Sequence, residues 1–255
     1  IEVSCRQTQA DDIKAQITAL INQIGGLCKQ KFVKLDEGKG SIVSYKDGKI
    51  IKKISAESKA FIEPIQSSKL VSTIAWKSDA SKKIELRVGD ITEETLDGVI
   101  CTNDARLSCT HKSVSLLSRK IGPILKNDCN FLVKKAPLKV GSVTSTNAGG
   151  NTQISRIFHV VIPDRYPDNE TSVSKDVKKA LEEAEEEGIT VVGLVPLGVT
   201  HGCSLKSSVK GIIKACEEFF KRSKKLRVVK VFEIVKLNID VMKGMFEAAN
   251  NVLWE

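Results

Sequence analysis

The chain has 255 residues, 41% of them hydrophobic and 28% charged, which sets aside a mostly disordered polymer and allows a sizeable core without disulfides or metal. No apolar run approaches the roughly 18 residues of a membrane span. The net charge of +9, divided as +3 over residues 1–66 and +6 over the remainder, leans toward an anionic partner or toward a solvated lysine-rich surface. Aromatic residues are only 5%, so a stacking platform for single strands has little support. The first residues show neither a basic n-region nor an apolar h-region, so no signal peptide is expected, and the absence of an initial Met suggests a piece of something longer. Seven cysteines, with no CxxC pair and no zinc-module spacing, read as reduced thiols of a cytoplasmic or nuclear protein, with no metal site.

In chain order, Ile1–Cys5 alternates like a strand, and Ile13, Ile17, Leu20, Ile21 and Ile24 fall at helical spacing before Gly25-Gly26. Lys31–Leu35 reads as a second strand. Ile42, Val43 and Tyr45 suggest a short helix that breaks at Asp47-Gly48, Ile50, Ile51 and Ile54 make a further helical stripe, and Ala60–Glu63 reads as a strand ended by Pro64. The order and the wording Gly48-Lys49-Ile50-Ile51-Lys52-Lys53-Ile54 resemble a KH-type α/β unit. KH units hold a nucleic-acid backbone with a GxxG loop, which would place Lys46, Gly48 and Lys49 against RNA or DNA. Tyr45-Lys46-Asp47-Gly48 lacks the first glycine of that loop and sets a carboxylate where a phosphate belongs. A packing or spacer role is the competing reading.

A boundary is expected at Gln66–Lys69, giving a KH-like unit at 1–66, a linker at 67–70 and a second domain at 71–255. Beyond it, strands are expected at Val71–Trp76, Ile84–Val88, Val99–Thr102, Ile157–Ile162, Val191–Val195 and Val228–Ile234. Helices are expected at Ser113–Lys120, Ile124–Val133, Val173–Glu187, Leu205–Lys221 and Ile239–Leu253, with the acidic run Glu182–Glu187 as a solvated helix face. Such alternation predicts a three-layer α/β domain with a mixed, largely parallel sheet. Ligands of such sheets bind beyond the carboxyl ends of the strands, which directs attention to the loops after Val88, Thr102, Ile162 and Val195.

Five segments in register carry a second resemblance: Gly89-Asp90-Ile91-Thr92, Leu96–Ile100, Thr146–Gly150, Ile157–Pro163 and Gly188–Gly198. Over about residues 71–255 they resemble a macrodomain, the ADP-ribose-binding module. A KH-like unit before a macrodomain resembles a segment of the multi-macrodomain ADP-ribosyltransferases, whose transferase domain uses NAD. The resemblance implies ADP-ribose or an ADP-ribosylated protein as ligand, no resident cofactor and no membrane association.

Carried over residue by residue, Asp90 matches the acceptor for the adenine amino group, with the Ile91 amide beside it. Asp90 as a cap of the turn before Thr92 is the alternative. Where the family reads Asn-Ala-Ala-Asn, this chain has Cys101-Thr102-Asn103-Asp104. The ribose-holding asparagine thus becomes Asp104, unless a one-residue shift brings in Asn103. The family's first glycine run is replaced by Cys109-Thr110-His111-Lys112, leaving Lys112 to offer charge in place of fixed amides. Gly198, Val199, Thr200, His201 and Gly202 match the second phosphate loop, with Ser204 near the position of the family's aromatic lid. His201 either donates to a phosphate or faces solvent, whereas His159, inside an apolar strand, reads as structural. No hydrolase or transferase motif is intact. Three functions stay open: a reader with an eroded phosphate site, a scaffold without nucleotide binding, and a nucleic-acid-binding pair.

Overall fold

The computed structural model describes residues 68–135, 138–148 and 153–252. The chain divides into two units, Ile1–Gln66 and Ser67–Glu255, and every described residue lies in the second. The KH-like reading, with Lys46, Gly48 and Lys49, falls outside the described residues.

The second unit is built on seven strands: β1 (Lys69–Trp76), β2 (Asp79–Val88), β3 (Leu96–Asn103), β4 (Val143–Asn147), β5 (Ile154–Val161), β6 (Val191–Leu194) and β7 (Val228–Glu233). Their order across the sheet is β1-β2-β7-β6-β3-β5-β4. The five strands from β2 to β5 run parallel, and β1 and β4 close the edges antiparallel. Five helices complete the unit: α1 (Lys112–Ile121), α2 (Pro123–Lys135), α3 (Glu170–Glu186), α4 (Leu205–Phe220) and α5 (Lys236–Val252).

Period-two alternation along the central strands sorts their side chains into two cores. Ile100 of β3 and Phe158 and Val160 of β5 pack with α3, α4 and α5 on one face. Val99 and Cys101 of β3 and Ile157 and Val161 of β5 pack with α1 and α2 on the other. Strands covered on both faces need apolar residues at nearly every position, which is why they were readable as near-continuous apolar runs. Burying a side chain such as Phe158, Leu194 or Leu181 contributes about 1.5–3 kcal/mol each, so the two cores dominate stability.

The three-layer expectation holds, with corrections at the margins. β1 begins at Lys69, and Ser68 is already buried, its hydroxyl accepting from Arg87 Nε at 2.6 Å. β2 begins at Asp79, five residues before the apolar stretch announces it, because Trp76 pairs with Asp79 across a tight hairpin. β4 was not expected as a strand. It is a polar edge strand with a single neighbour, and only Thr146 in it is buried. The acidic run is not simply solvated. Glu187 pairs with Arg156 and accepts from Ser145, Glu185 accepts from the Lys225 amide at 2.7 Å, and Ala184 is buried.

Helix starts follow side-chain capping. Asn169 accepts from the Ser172 amide at 2.8 Å to open α3, and Ser204 accepts from the Ser207 amide at 3.2 Å to open α4. Ser204 is therefore a helix cap, and no aromatic ring stands in its place.

Candidate functional site

The parallel strands present their carboxyl ends along one edge of the sheet. The loops leaving β3, β5 and β6 there enclose an open cleft of about 460 Å³ lined by Asp104, Thr110, His111, Asp164, Thr200 and His201. Of the sequence-derived candidates, it gathers Asp104, Thr200 and His201. Thr110, His111 and Asp164 join them.

The first wall, Asp104–His111, is organised from both ends. The Asn103 Oδ1 accepts from the Asp104 amide at 3.0 Å and the Cys109 amide at 3.2 Å, stitching the loop closed beneath itself. Asp104 Oδ1 accepts from the Arg106 amide at 2.8 Å and the Ser108 amide at 3.2 Å, and its Oδ2 accepts from the Ser108 hydroxyl. Partial burial works to raise the Asp104 pKa, but the bonds from Ser108 and Arg106, with His111 nearby, outweigh it and hold the carboxyl below its ordinary value. The cleft therefore carries a fixed negative charge on this wall.

Residues with a Cβ fit a tight turn of this kind less easily than the glycines they replace. Leu107 at φ 48° and Cys109 at φ 58° nevertheless adopt the left-handed backbone that glycines favour. A residue with a Cβ bears roughly 1–2 kcal/mol there. Leu107 and Cys109 are buried in the α1–α2 core, and that burial offsets the strain.

Asn103 is not available to a ligand, which corrects the shifted-register reading. It is fully buried, its Oδ1 is engaged as above, and its Nδ2 points to Cys109 Sγ at 3.8 Å and His159 Nδ1 at 3.4 Å. Because Oδ1 accepts two amides, Nδ2 must be the donor to His159 Nδ1, so His159 carries its proton on Nε2 and donates to Thr146 Oγ1 at 2.9 Å. Burial alone pushes the His159 pKa down to about 4, so this imidazole is neutral and structural.

His111 precedes α1, and its ring lies over that of His201 with centroids 4.0 Å apart and planes tilted by 42°. Its Nδ1 is buried without a hydrogen-bond partner among the described residues. Burial and the neighbouring His201 lower its pKa, against the opposing pull of Asp104 and Asp164. His111 is thus a neutral imidazole near pH 7, with one ring nitrogen unused. Lys112 follows as the first residue of α1.

The second wall is the turn Val199–His201, held between Gly198 at φ 75° and Gly202 at φ 101°. The His201 and Cys203 amides both donate to the Gly198 carbonyl, at 2.8 and 3.1 Å, and the Tyr166 amide donates to the His201 carbonyl at 2.7 Å. Tyr166 lies beneath, 3% exposed, its hydroxyl donating to Asp176 at 2.8 Å. A Cβ on Gly198 would lie 2.5 Å from the Tyr166 ring, so glycine is required there by backbone and by space together. Gly198, Val199 and Gly202 are outside the cleft lining. They shape the turn that presents Thr200 and His201, whose hydroxyl and Nδ1 are 2.9 Å apart.

Asp90 and Ile91 do not line this cleft. Asp90 is exposed and caps the 3-10 turn Ile91–Glu93, its Oδ1 accepting from the Thr92 amide at 2.9 Å, while Ile91 is buried. Since β2 and β6 are separated by β7 alone, Asp90 stands two strand spacings from the cleft, roughly 10 Å along the same edge.

The sequence reading missed Asp164, which follows Ile162-Pro163 at the end of β5. Its loop was singled out, but no motif marked the residue. No group of three or more His, Cys, Asp or Glu residues fit to hold a metal occurs among the described residues.

Residues 104–225 match the family model of the Macro domain. An uncharacterised protein of Saccharolobus solfataricus is 24% identical over 175 residues, covering 68% of this chain and 97% of that protein. Among solved structures, a variant of the Oceanobacillus iheyensis macrodomain with ADPR superposes with a TM-score of 0.61 at 17% identity, covering 72% of this chain and 100% of that one. The Trypanosoma brucei macrodomain in complex with ADP gives 0.59 at 14% identity, covering 89% and 94%. The second unit of this chain therefore has the macrodomain fold, and its Macro domain match begins at the cleft residue Asp104.

Proposed function

We propose that this unit recognises ADP-ribose, free or attached to a protein, without cleaving it. The observation that carries the reading is the cleft between the β3 and β6 loops, in a fold whose solved examples include one with ADPR and one with ADP. The adenosine half falls to the β2 edge, where Asp90 keeps Oδ2 outside its capping bond. The diphosphate lies toward Thr200, His201 and His111.

Recognition of the diphosphate is weak by construction. Asp104 and Asp164 place carboxylates on the cleft, and repulsion between like charges opposes a phosphate there. Asn103 is buried in the core, and among the described residues no amide side chain lines the cleft. Without that contact, without an aromatic lid and with Asp104 tied into its own loop, no described residue positions a water for hydrolysis. The role as a segment of a larger transferase-type protein beside a KH-like unit rests on the wording of residues 1–66. The reading places the protein in a reducing compartment, cytoplasmic or nuclear, on its cysteine usage alone, seven cysteines without a CxxC pair.

Calorimetric titration of ADP-ribose, ADP and AMP into the full chain tests the reading. AMP and ADP should bind nearly as well as ADP-ribose, and Asp90→Ala should weaken all three. A preference for ADP-ribose over ADP of about a hundredfold, or about 2.7 kcal/mol, would show that the distal half is read after all. No binding by any of the three would leave the scaffold reading. Binding of RNA or DNA that falls steeply with salt would favour the nucleic-acid partner suggested by the +9 charge.

A further inference from the structure

We propose that Cys109 and Cys129 are a redox pair, oxidised by peroxides to a disulfide that ties the first wall of the cleft to α2. Cys109 stands in the loop that presents Asp104, Thr110 and His111, and Cys129 faces it from the inner side of α2. Their sulfurs are 3.7 Å apart, about 1.7 Å more than a disulfide bond, and Cys109, unlike Cys129, stands outside any regular element.

The surroundings divide the roles. The Cys109 thiol donates to the Leu107 carbonyl at 3.4 Å, which leaves its sulfur to accept from the Cys129 thiol and, at 3.8 Å, from Asn103 Nδ2, with the charge of Lys126 adding to them. These outweigh burial and the Asp104 carboxylate, so its thiol is pulled below the ordinary range. Cys129, the donor in that contact and 1% exposed, is pushed up by the bond to Cys109 and by burial. Cys101, Cys203 and Cys216 are all raised by burial, which leaves Cys109 as the nucleophile among the described cysteines. Cys109 retains 6% exposure, a narrow approach for a molecule as small as hydrogen peroxide.

The chemistry balances without any further group. The Cys109 thiolate attacks a peroxide oxygen; the S–O bond forms, the O–O bond breaks, and the departing hydroxide or alkoxide takes a proton from solvent. Cys129 then attacks the sulfenic sulfur; the S–S bond forms, the S–O bond breaks, and the hydroxide leaves as water with the Cys129 proton. Two thiols lose two electrons and the peroxide gains them. The Cys101 thiol, 3.6 Å from His159 Nδ1, faces a different partner and is not required.

The test is disulfide mapping on the full chain treated with hydrogen peroxide, then alkylated under denaturing conditions and digested with trypsin. Lys112, Arg119, Lys120 and Lys126 separate the two cysteines, so the bond appears as a cross-linked peptide pair. The expected product joins Cys109 to Cys129. Cys129→Ser should yield a Cys109 sulfenic acid that dimedone traps, and Cys109→Ser should leave Cys129 an unmodified thiol. The wild-type map decides even if a variant fails to fold. Both residues recovered as free thiols after treatment that oxidises glutathione completely, or Cys109 joined to any other cysteine, would overturn the proposal.

Discussion

Replacing Gly198 by alanine tests whether the second cleft wall is held as described. Two separate penalties arise. The backbone at φ 75° is left-handed, which costs an L residue about 1–2 kcal/mol. The new Cβ would also stand 2.5, 2.9 and 3.1 Å from three atoms of the Tyr166 ring. That ring is buried and anchored through its hydroxyl to Asp176, so it cannot swing aside, and overpacking of this kind costs about 1–3 kcal/mol. The sum is about 2–5 kcal/mol, a large part of the 5–15 kcal/mol typical of a domain. Gly202→Ala supplies the control. Its backbone is also left-handed, at φ 101°, but its Cβ would meet nothing closer than 3.7 Å, so only the backbone penalty of about 1–2 kcal/mol applies. Urea unfolding followed by tryptophan fluorescence is the assay, because Trp76 sits edge-on to Phe220 at 6.1 Å and reports on this unit. Equal destabilisation by the two variants would refute the clash with Tyr166, and no destabilisation by either would refute the turn itself.

Three further expectations follow from the same geometry. His159 has its pKa depressed from 6.5 to about 4 by burial, so the unfolded chain binds the extra proton more readily. Stability is then full above pH 6.5 and falls by up to about 3 kcal/mol on acidification to pH 4, and His159→Gln should flatten this slope in urea titrations at several pH values. Asp97 Oδ2 accepts from the Thr190 and Val191 amides, each at 3.0 Å, and fastens the start of β6 to β3; Asp97→Ala should cost about 1–3 kcal/mol by thermal or chemical unfolding. Binding of a diphosphate beside the neutral His111 should draw in a proton. ADP affinity should therefore rise as pH falls from 7.5 to 6, with proton uptake in calorimetry across buffers of differing ionisation enthalpy, both absent in His111→Gln.

The parts of the molecule that the sequence disclosed are those where one physical pressure dominates. Val99–Thr102 and Ile157–Ile162 are nearly continuous apolar runs, broken by Thr102 and His159, because helices cover both faces, and α4 is marked by its apolar stripe, whereas Ser204 was legible only as a loop residue and not as its cap. β4 escaped because an edge strand with one exposed side answers to no such pressure, and Thr-Ser-Thr-Asn reads equally as a loop. The site was legible as a set of loops but not as a set of side chains. Asn103, the alternative to Asp104 under a one-residue shift, shares the parity of Val99 and Cys101, which places it on the inward α1–α2 face. The stacking of His111 on His201 had no comparable signal, since ninety residues separate them and only the parallel pairing of β3 with β6 brings their loops together.

The arrangement of the sheet margins bears on how copies of this protein behave when crowded. Apolar parallel strands such as β3, β5 and β6 make good templates for a neighbour's backbone once exposed, and here all of them are interior. At one margin stands β1, whose pairing slips register at Leu70/Ser72 and again at Ala75/Trp76, so it offers no long flat row of donors and acceptors. At the other stands β4, five residues long, where Arg156 reaches across to Ser145 at 3.1 Å and Asn147 at 2.6 Å and drapes a charged side chain over the rim. Among the described residues, neither margin invites strand-by-strand growth into fibres. Assembly through this sheet would first require a terminal strand to peel away, so its onset should track unfolding rather than concentration alone.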